Sequence, residues 1–319
     1  MTSMGLDLKV PKLPKIGRIR FLSLIVFIGL LNASLGFAYI GGQSSEVTVL
    51  TIDGAPDDIV FIADPHLREA NIDHTRQIVE EINTLHPSLV LILGDFVYED
   101  GEDLYLQEVW SGIDAPVYAI LGNHDYKSGI ESTTWVQKNM AVSSACYDVE
   151  GYDVSCLRDE TTDLAYADRV AAALEENGVT VLRNEYVPLR INGTDLMLVG
   201  VDDGWAGMAD PPEIPETDAF VLYMIHEPDC RADWDADLTI AGHTHGGQFL
   251  PHGTSLAGKE ISGLYERNGR FCYVTRGIGT SNFGIELRLF ATPEIVIINP
   301  SVPPEELLPG KKIVHITVE

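Results

Sequence analysis

An α/β fold is predicted for this 319-residue chain, and three observations predict it. Between residues 59 and 121, short continuous apolar runs alternate with helical patterns, which implies a parallel sheet with crossover helices. Each of those runs ends at an Asp, Asn or His, where α/β sheets place their sites, outside the carboxyl ends of the strands. After Gly178 the pattern changes to a series of short strands, with Asn192-Gly193 between two of them as a tight-hairpin signal.

The elements follow in order. Residues 1–20 carry Lys9, Lys12, Lys15, Arg18 and Arg20 against Asp7 alone, a basic N-terminus. Phe21 to Ile40 contains no charge; as a helix it spans about 30 Å, enough for a bilayer. Basic residues before it would keep the N-terminus in the cytoplasm and put the rest outside. A single-pass membrane anchor is the expectation. The alternative is a cleaved signal peptide and a secreted product, with small residues clustered at Ala33-Ser34-Leu35-Gly36. Residues 41–53 read as a polar linker leading into a strand, 54–300 as the main domain, and 301–319 as a Pro-punctuated tail ending in a strand-like run.

Within the main domain, Ile59–Ala63, Leu89–Leu93 and Val117–Leu121 read as buried strands. Asp73–Leu85 places Ile78, Val79, Ile82 and Leu85 at helical spacing, and Pro87 stops that helix. A polar helix is expected around Glu102–Trp110. Residues 140–163 are polar and hold Cys146 and Cys156; they read as an insertion or lid, with a disulfide and two free thiols both open. Asp163–Asn177 looks helical, with Gly178 as its C-terminal cap. Short strands follow at Val179–Leu182, Tyr186–Ile191, Leu196–Val201, Phe220–His226 and Leu238–Ala241. Others are expected near Arg270–Thr275, Ile285–Phe290 and Glu294–Ile298.

The formal charge of −27 makes the body acidic and repels polyanions, so no nucleic-acid partner is expected. No CxxC spacing exists, which argues against a zinc ribbon or a dithiol redox motif. The chemistry-bearing residues are instead oxygen and imidazole donors: Asp64 and His66, Asp95, Asn123, His226, and His243 and His245. Such donors suit Mn, Fe, Zn or Mg. Seven exceed what one ion needs and point to two divalent ions, an arrangement suited to in-line displacement at phosphorus. A shared carboxylate can bridge, and a neutral Asn limits the charge the cluster accumulates. Arg276 and Asn282 lie near the expected site face as candidates for a phosphate contact. Trp135, Met140 and the Trp205 loop read as ordinary packing, with a lipid-facing groove as the alternative. His74, His86, His252 and His315 read as surface or loop residues.

The segments DPH (Asp64–His66), GDF (Gly94–Phe96), GNHD (Gly122–Asp125), the lone His226 and GHTH (Gly242–His245) resemble, complete and in order, the signature of the calcineurin-like metallophosphoesterases. VLRNEYVPL, GVDDGW, HEPD, GHTHGGQ, RGIGTS and PEIVIINP are similar to the membrane-associated YkuE-type branch. The resemblance spans about Asp58 to Pro300. It implies a four-layer α/β/β/α sandwich with two mixed sheets. It implies one metal held by Asp64, His66, Asp95 and His245, and a second by Asp95, Asn123, His226 and His243, with Asp95 bridging. His124 would be the catalytic group at the leaving oxygen, oriented by Asp125 through its other ring nitrogen, and a metal-bridging hydroxide the nucleophile. The implied activity is hydrolysis of a phosphodiester or pyrophosphate, on a lipid-linked or envelope substrate. A nucleotide or general phosphodiesterase and a non-catalytic interaction module on the same fold are the alternatives. The chain departs from the branch after RGIGTS, where it reads NFGIELRLF in place of a nearby Pro and Arg, which leaves the substrate-facing loop open.

Overall fold

A computed structural model describes residues 18–99, 101–143, 148–248, 259–281 and 287–318. The chain divides into an N-terminal unit ending at Phe37 and a second unit, Ala38–Glu319, that holds both sheets. Helix α1 (Arg18–Gly42) covers the uncharged run, and Leu24, Phe27, Leu30 and Leu35 are exposed on it. Among the described residues no helix is long and apolar enough to cross a membrane. The expected helix is therefore present, and the expected span is not found among the described residues.

The first sheet has seven strands in the order β13-β1-β12-β2-β3-β4-β5. They are β1 (Glu46–Ile52), β2 (Ile59–Ile62), β3 (Leu89–Leu93), β4 (Val117–Ile120), β5 (Val179–Val181), β12 (Glu294–Ile298) and β13 (Ile313–Val318). Strands β2 to β5 run parallel, joined by crossovers that include α2 (Ile72–Thr84), a 3-10 turn at Leu104–Gly112 in place of the expected helix, and α4 (Leu164–Glu176). Strand β12 enters antiparallel beside β2. Both the expected linker and the expected tail contribute strands: β1 pairs in parallel with β12 on one side and β13 on the other. The domain thus starts before residue 54 and ends after residue 300.

The second sheet has six strands, β10-β11-β9-β8-β7-β6: β6 (Glu185–Ile191), β7 (Thr194–Gly200), β8 (Phe220–Met224), β9 (Leu238–Ala241), β10 (Gly263–Arg267) and β11 (Arg270–Val274). It is mixed as well, with antiparallel pairs only at β6–β7 and β10–β11. Asn192 (φ 48°) and Gly193 (φ 89°) both sit at positive φ, as a two-residue hairpin between right-twisted strands requires. Of the run expected as a strand at Ile285–Phe290, residues 285–286 lie outside the described residues, and 287–290 form no strand.

Strand periodicity sorts the core. Ile59, Phe61, Leu89 and Leu91 point to one face and meet Leu198, Leu222, Met224 and Ile240 of the second sheet. Val60, Ile62, Val90 and Ile92 point to the other and meet Ile78 and Ile82 of α2 and Val170 and Leu174 of α4. The outer face of the second sheet, with Val199 and Tyr223, is covered mostly by loops carrying Leu157, Trp205 and Trp234, and by Val142 at the end of α3 (Ser132–Ser143). The fourth layer is therefore largely irregular.

Candidate metal centre

Strands from both sheets end at one place. The turn after β2 carries Asp64 and His66, that after β3 Asp95, and that after β4 Asn123; His226 follows β8, and His243 and His245 follow β9. Backbone bonds lock the turns together: Asp64 N–H donates to Gly94 O (3.1 Å), His66 N–H to Asp95 O (2.9 Å) and Gly242 N–H to His226 O (3.0 Å). Gly94 (φ 86°) permits the close approach, since a side-chain carbon there would lie 2.6 Å from Gly122 N.

Five of the seven expected ligands have left-handed backbones: Asp64 (52°), His66 (43°), Asp95 (57°), His243 (67°) and His245 (51°). Asp and His tolerate that region better than most residues, yet such conformations persist only where the surroundings impose them. Here they turn alternate side chains of DPH and HTH inward.

All seven expected ligands converge, and most are buried. Ligand atoms of Asp64, His66 and His245 cluster within 4.8 Å, as do those of Asp95, His226 and His243. Asp95 Oδ2 lies 3.4 Å from His66 Nε2 and 3.2 Å from His226 Nε2, between the two groups. Asn123 Oδ1 meets His243 Nδ1 at 3.0 Å. Three imidazoles turn Nδ1 to a carbonyl oxygen, His66 to Val97 (3.1 Å), His226 to Leu93 (2.6 Å) and His245 to Gly279 (3.1 Å), leaving Nε2 for the centre. This is the usual support of a ligating histidine.

Burial raises the Asp64 carboxyl to about 7, against the pull of His226. Burial would also raise Asp95, but His226, His124 and His66 overcome it and hold Asp95 well below the carboxylate range. Burial lowers His66 and His243, and brings His245 down to about 3 with the help of Arg288. Burial opposes protonation of His226 too, yet Asp95 lifts it well above its ordinary value.

The donor set fits divalent ions. His226 Nε2 is buried 3.2 Å from Asp95 Oδ2 but makes no hydrogen bond. His66 and His245 face each other Nε2 to Nε2 at 3.1 Å, with rings stacked at 4.9 Å. Buried imidazole nitrogens facing one another or a carboxylate in this way are what divalent cations satisfy.

His124 stands where expected, its ring edge-on to His66 at 4.5 Å, with its backbone N–H donating to Asp95 Oδ1 (2.8 Å). The role expected for Asp125 is corrected. Its carboxylate accepts from the N–H groups of Phe96 (2.9 Å), Val97 (3.2 Å) and Gly122 (2.9 Å), and His124 Nδ1 is buried without a hydrogen-bond partner. Asp125 thus ties the GNHD turn to the GDF turn and does not orient the His124 ring. Arg276 is also corrected: it is buried against Glu46 (3.1 Å) and Glu294 (3.4 Å) and offers nothing to a phosphate. Asn282 and His252 lie outside the described residues, as does Cys146, so the choice between a Cys146–Cys156 disulfide and free thiols stays open; Cys156 is exposed. His74 is buried in α2.

Sequence reasoning missed three supports. Arg288 is fully buried behind His245, its Nη2 3.1 Å from Nδ1. Trp205 packs edge-on to His243 at 4.4 Å. Lys138 of α3 donates to Ser128 Oγ (2.7 Å), Leu157 O (2.7 Å) and Trp205 O, and pairs with Asp159 (2.9 Å). Only the WVQKNM spacing, which puts Trp135, Lys138 and Asn139 on one helical face, signals the last.

These motifs and their convergence define a calcineurin-like phosphoesterase: the model of that family matches residues 58–247, and the chain belongs to it. It is a metal-dependent phosphoric ester hydrolase. The phosphodiesterase YaeI of Escherichia coli (strain K12) is 28% identical over 260 residues, 77% of this chain and 83% of YaeI. The uncharacterized metallophosphoesterase YkuE of Bacillus subtilis (strain 168) is 26% identical over 260 residues, 75% of this chain and 77% of YkuE.

Proposed function

We propose that the chain hydrolyses a phosphodiester or pyrophosphate bond at a two-metal centre, with Asp64, His66, Asp95 and His245 holding one ion and Asp95, Asn123, His226 and His243 the other. The position of Asp95 between the two histidine groups carries this reading. The ions, when bound, supply charge neutralisation at phosphorus and a water acidified to near-neutral pKa. The protein's part is to hold that geometry. Backbone-anchored imidazoles keep Nε2 inward, and Asp125 keeps two ligand turns in register. His124, which is not needed by either ligand set, faces the leaving oxygen and stabilises the charge that develops on it. Similarity to a phosphodiesterase over most of the chain favours a diester over a monoester.

The exposed apolar side chains of α1 support a membrane-associated protein, and the basic residues before them a catalytic unit outside the cytoplasm; a lipid-linked or envelope substrate is the substrate class proposed for that location. Recovery of the chain in the soluble fraction would remove that part.

The test of the site is a pair of variants assayed with Mn and a chromogenic diester. Asp95→Ala loses both metal and turnover. His124→Ala keeps near-normal metal content and loses turnover. A His124→Ala protein stripped of metal would show that the role assigned to it is wrong.

A further inference from the structure

Beside His243 and His245 opens a cavity of about 330 Å³, walled by Trp205, Ile261 and, from α3, Trp135. Trp135 is 52% exposed at its lip, and the neighbouring Val136 and Met140 are exposed as well.

Most polar side chains in its wall already hold a hydrogen-bond or ion-pair partner, several of them backbone groups. Lys259 pairs with Asp229 (2.9 Å) and donates to Asn139 Oδ1 (2.9 Å). Asn139 uses its amide nitrogen on Trp135 O (3.0 Å). Glu260 is held by Arg231, and Glu227 accepts from Gly204 N–H (3.0 Å). Thr244 donates to Ile261 O (2.5 Å), and Gln248 to Leu287 O (3.0 Å). Reading a nucleobase edge or a second phosphate takes polar groups with bonds to give, and most of these already hold at least one partner. The half-exposed indole of Trp135 remains, with the buried Trp205 in the wall behind it.

We propose that this cavity is the specificity pocket of the enzyme and receives an uncharged apolar substituent of the phosphodiester, seated between Trp135 and Trp205 while the phosphate lies at the metal centre. The inference rests on the phosphodiesterase reading and deepens it. The cavity reaches the centre through His243 and His245 themselves, so a substituent on the phosphate enters it directly. Its size suits a ring or a chain of about six carbons. The chain's net charge of −27 disfavours more heavily charged substrates by the same sign.

The test uses the full chain with Mn and three p-nitrophenyl phosphodiesters whose second arm is methyl, hexyl or 5′-thymidine. The expected kcat/KM for the hexyl diester exceeds that for the methyl diester by about tenfold or more, from burial of the extra methylenes. In Trp135→Ala and in Trp205→Phe that ratio falls toward one; Trp135, half exposed, can be lost without a core cavity. A wild-type ratio near one, an unchanged ratio in Trp135→Ala, or a thymidine diester preferred over the hexyl one would each overturn the pocket assignment. Equal turnover of all three leaves the phosphodiesterase reading standing. Turnover of none, with Mn bound, removes that reading and the pocket with it.

Discussion

Lys138→Met separates a mere strut from a support of the second metal. The ammonium is 4% exposed and has four partners: Ser128 Oγ, Leu157 O, Trp205 O and the Asp159 carboxylate. Two of them lead to the centre. Ser128 O accepts the Asn123 amide (2.6 Å), which turns Asn123 Oδ1 toward His243, and the Trp205 ring packs on His243. Methionine fills similar volume but strands the Leu157 carbonyl and breaks the ion pair. A buried pair broken on one side costs about 3–5 kcal/mol. Asp159 is a quarter exposed and can be rehydrated, so about 3 kcal/mol is expected, or roughly 6–12 °C in Tm for a domain of this size. The decisive assay is metal stoichiometry by mass spectrometry over a range of Mn concentrations. The ion assigned to Asn123, His226 and His243 should weaken about tenfold or more while the one assigned to Asp64, His66 and His245 is retained. Lys138→Arg should recover part of the loss. Loss of both ions in parallel, or retention of both at the lower Tm, would refute the coupling.

Three further outcomes follow from other contacts. Asp125→Asn keeps one acceptor oxygen and sets an amide N–H₂ against a backbone N–H, which costs about 1–3 kcal/mol; calorimetry should show reduced stability and titration weaker metal binding, whereas kcat at saturating metal should fall less than in His124→Ala. Gly277→Ala would place a carbon 2.6 Å from Asp64 Oδ2 at a φ of 64°, so metal affinity should drop about tenfold or more with the fold retained by circular dichroism. Glu294 accepts from Thr48 (2.5 Å), Tyr273 (2.8 Å), Thr275 (3.0 Å) and Arg276 N–H (3.0 Å). Burial would raise its carboxyl, but Arg276 and these donors hold it below the ordinary 4.5. A depressed folded value stabilises above pH 4.5, and the contribution is lost as pH falls through that lower value. The stability gap between wild type and Glu294→Gln, followed by denaturant melts, should therefore be widest near neutrality and shrink in acid; a gap constant with pH would exclude the linkage.

The ligands were legible because each ends a strand whose apolar run is unmistakable, and because the five motifs stand in a fixed order. What was not legible depends on chain segments that meet only in three dimensions. Asp125 sits beside His124 in sequence, and a hydrogen bond between them looked natural. The loop after β3 comes closer and presents two N–H groups, and a carboxylate prefers several aligned donors to one ring nitrogen. Strand β13 pairs with β1, more than 260 residues away, and nothing in the local pattern of residues 301–319 names that edge. Arg288 lies in a stretch whose apolar alternation resembles a strand, yet it folds back so that its guanidinium donates to the carbonyl oxygens of Arg276 (2.7 Å) and Ala291 (3.0 Å).

The left-handed ligands join these two kinds of information. A turn in which both members of a D-x-H or H-x-H pair take positive φ is unfavourable by itself, roughly 1 kcal/mol or more per residue. It survives here because neighbouring turns hold it: Ile278 N–H on Ala63 O (2.9 Å) and Gly279 N–H on Asp64 O (2.8 Å) bracket the first pair, and His243 N–H donates to both Asp64 oxygens (3.0 and 3.1 Å) across to the second. Each ligand segment thus supplies hydrogen bonds that force the next into shape. The same bonds place the carboxylates and imidazoles with their ligand atoms converging on one centre. Preorganisation of that kind moves the ordering penalty from metal binding to folding. It also means that a change to one turn is felt at ligands contributed by the other sheet.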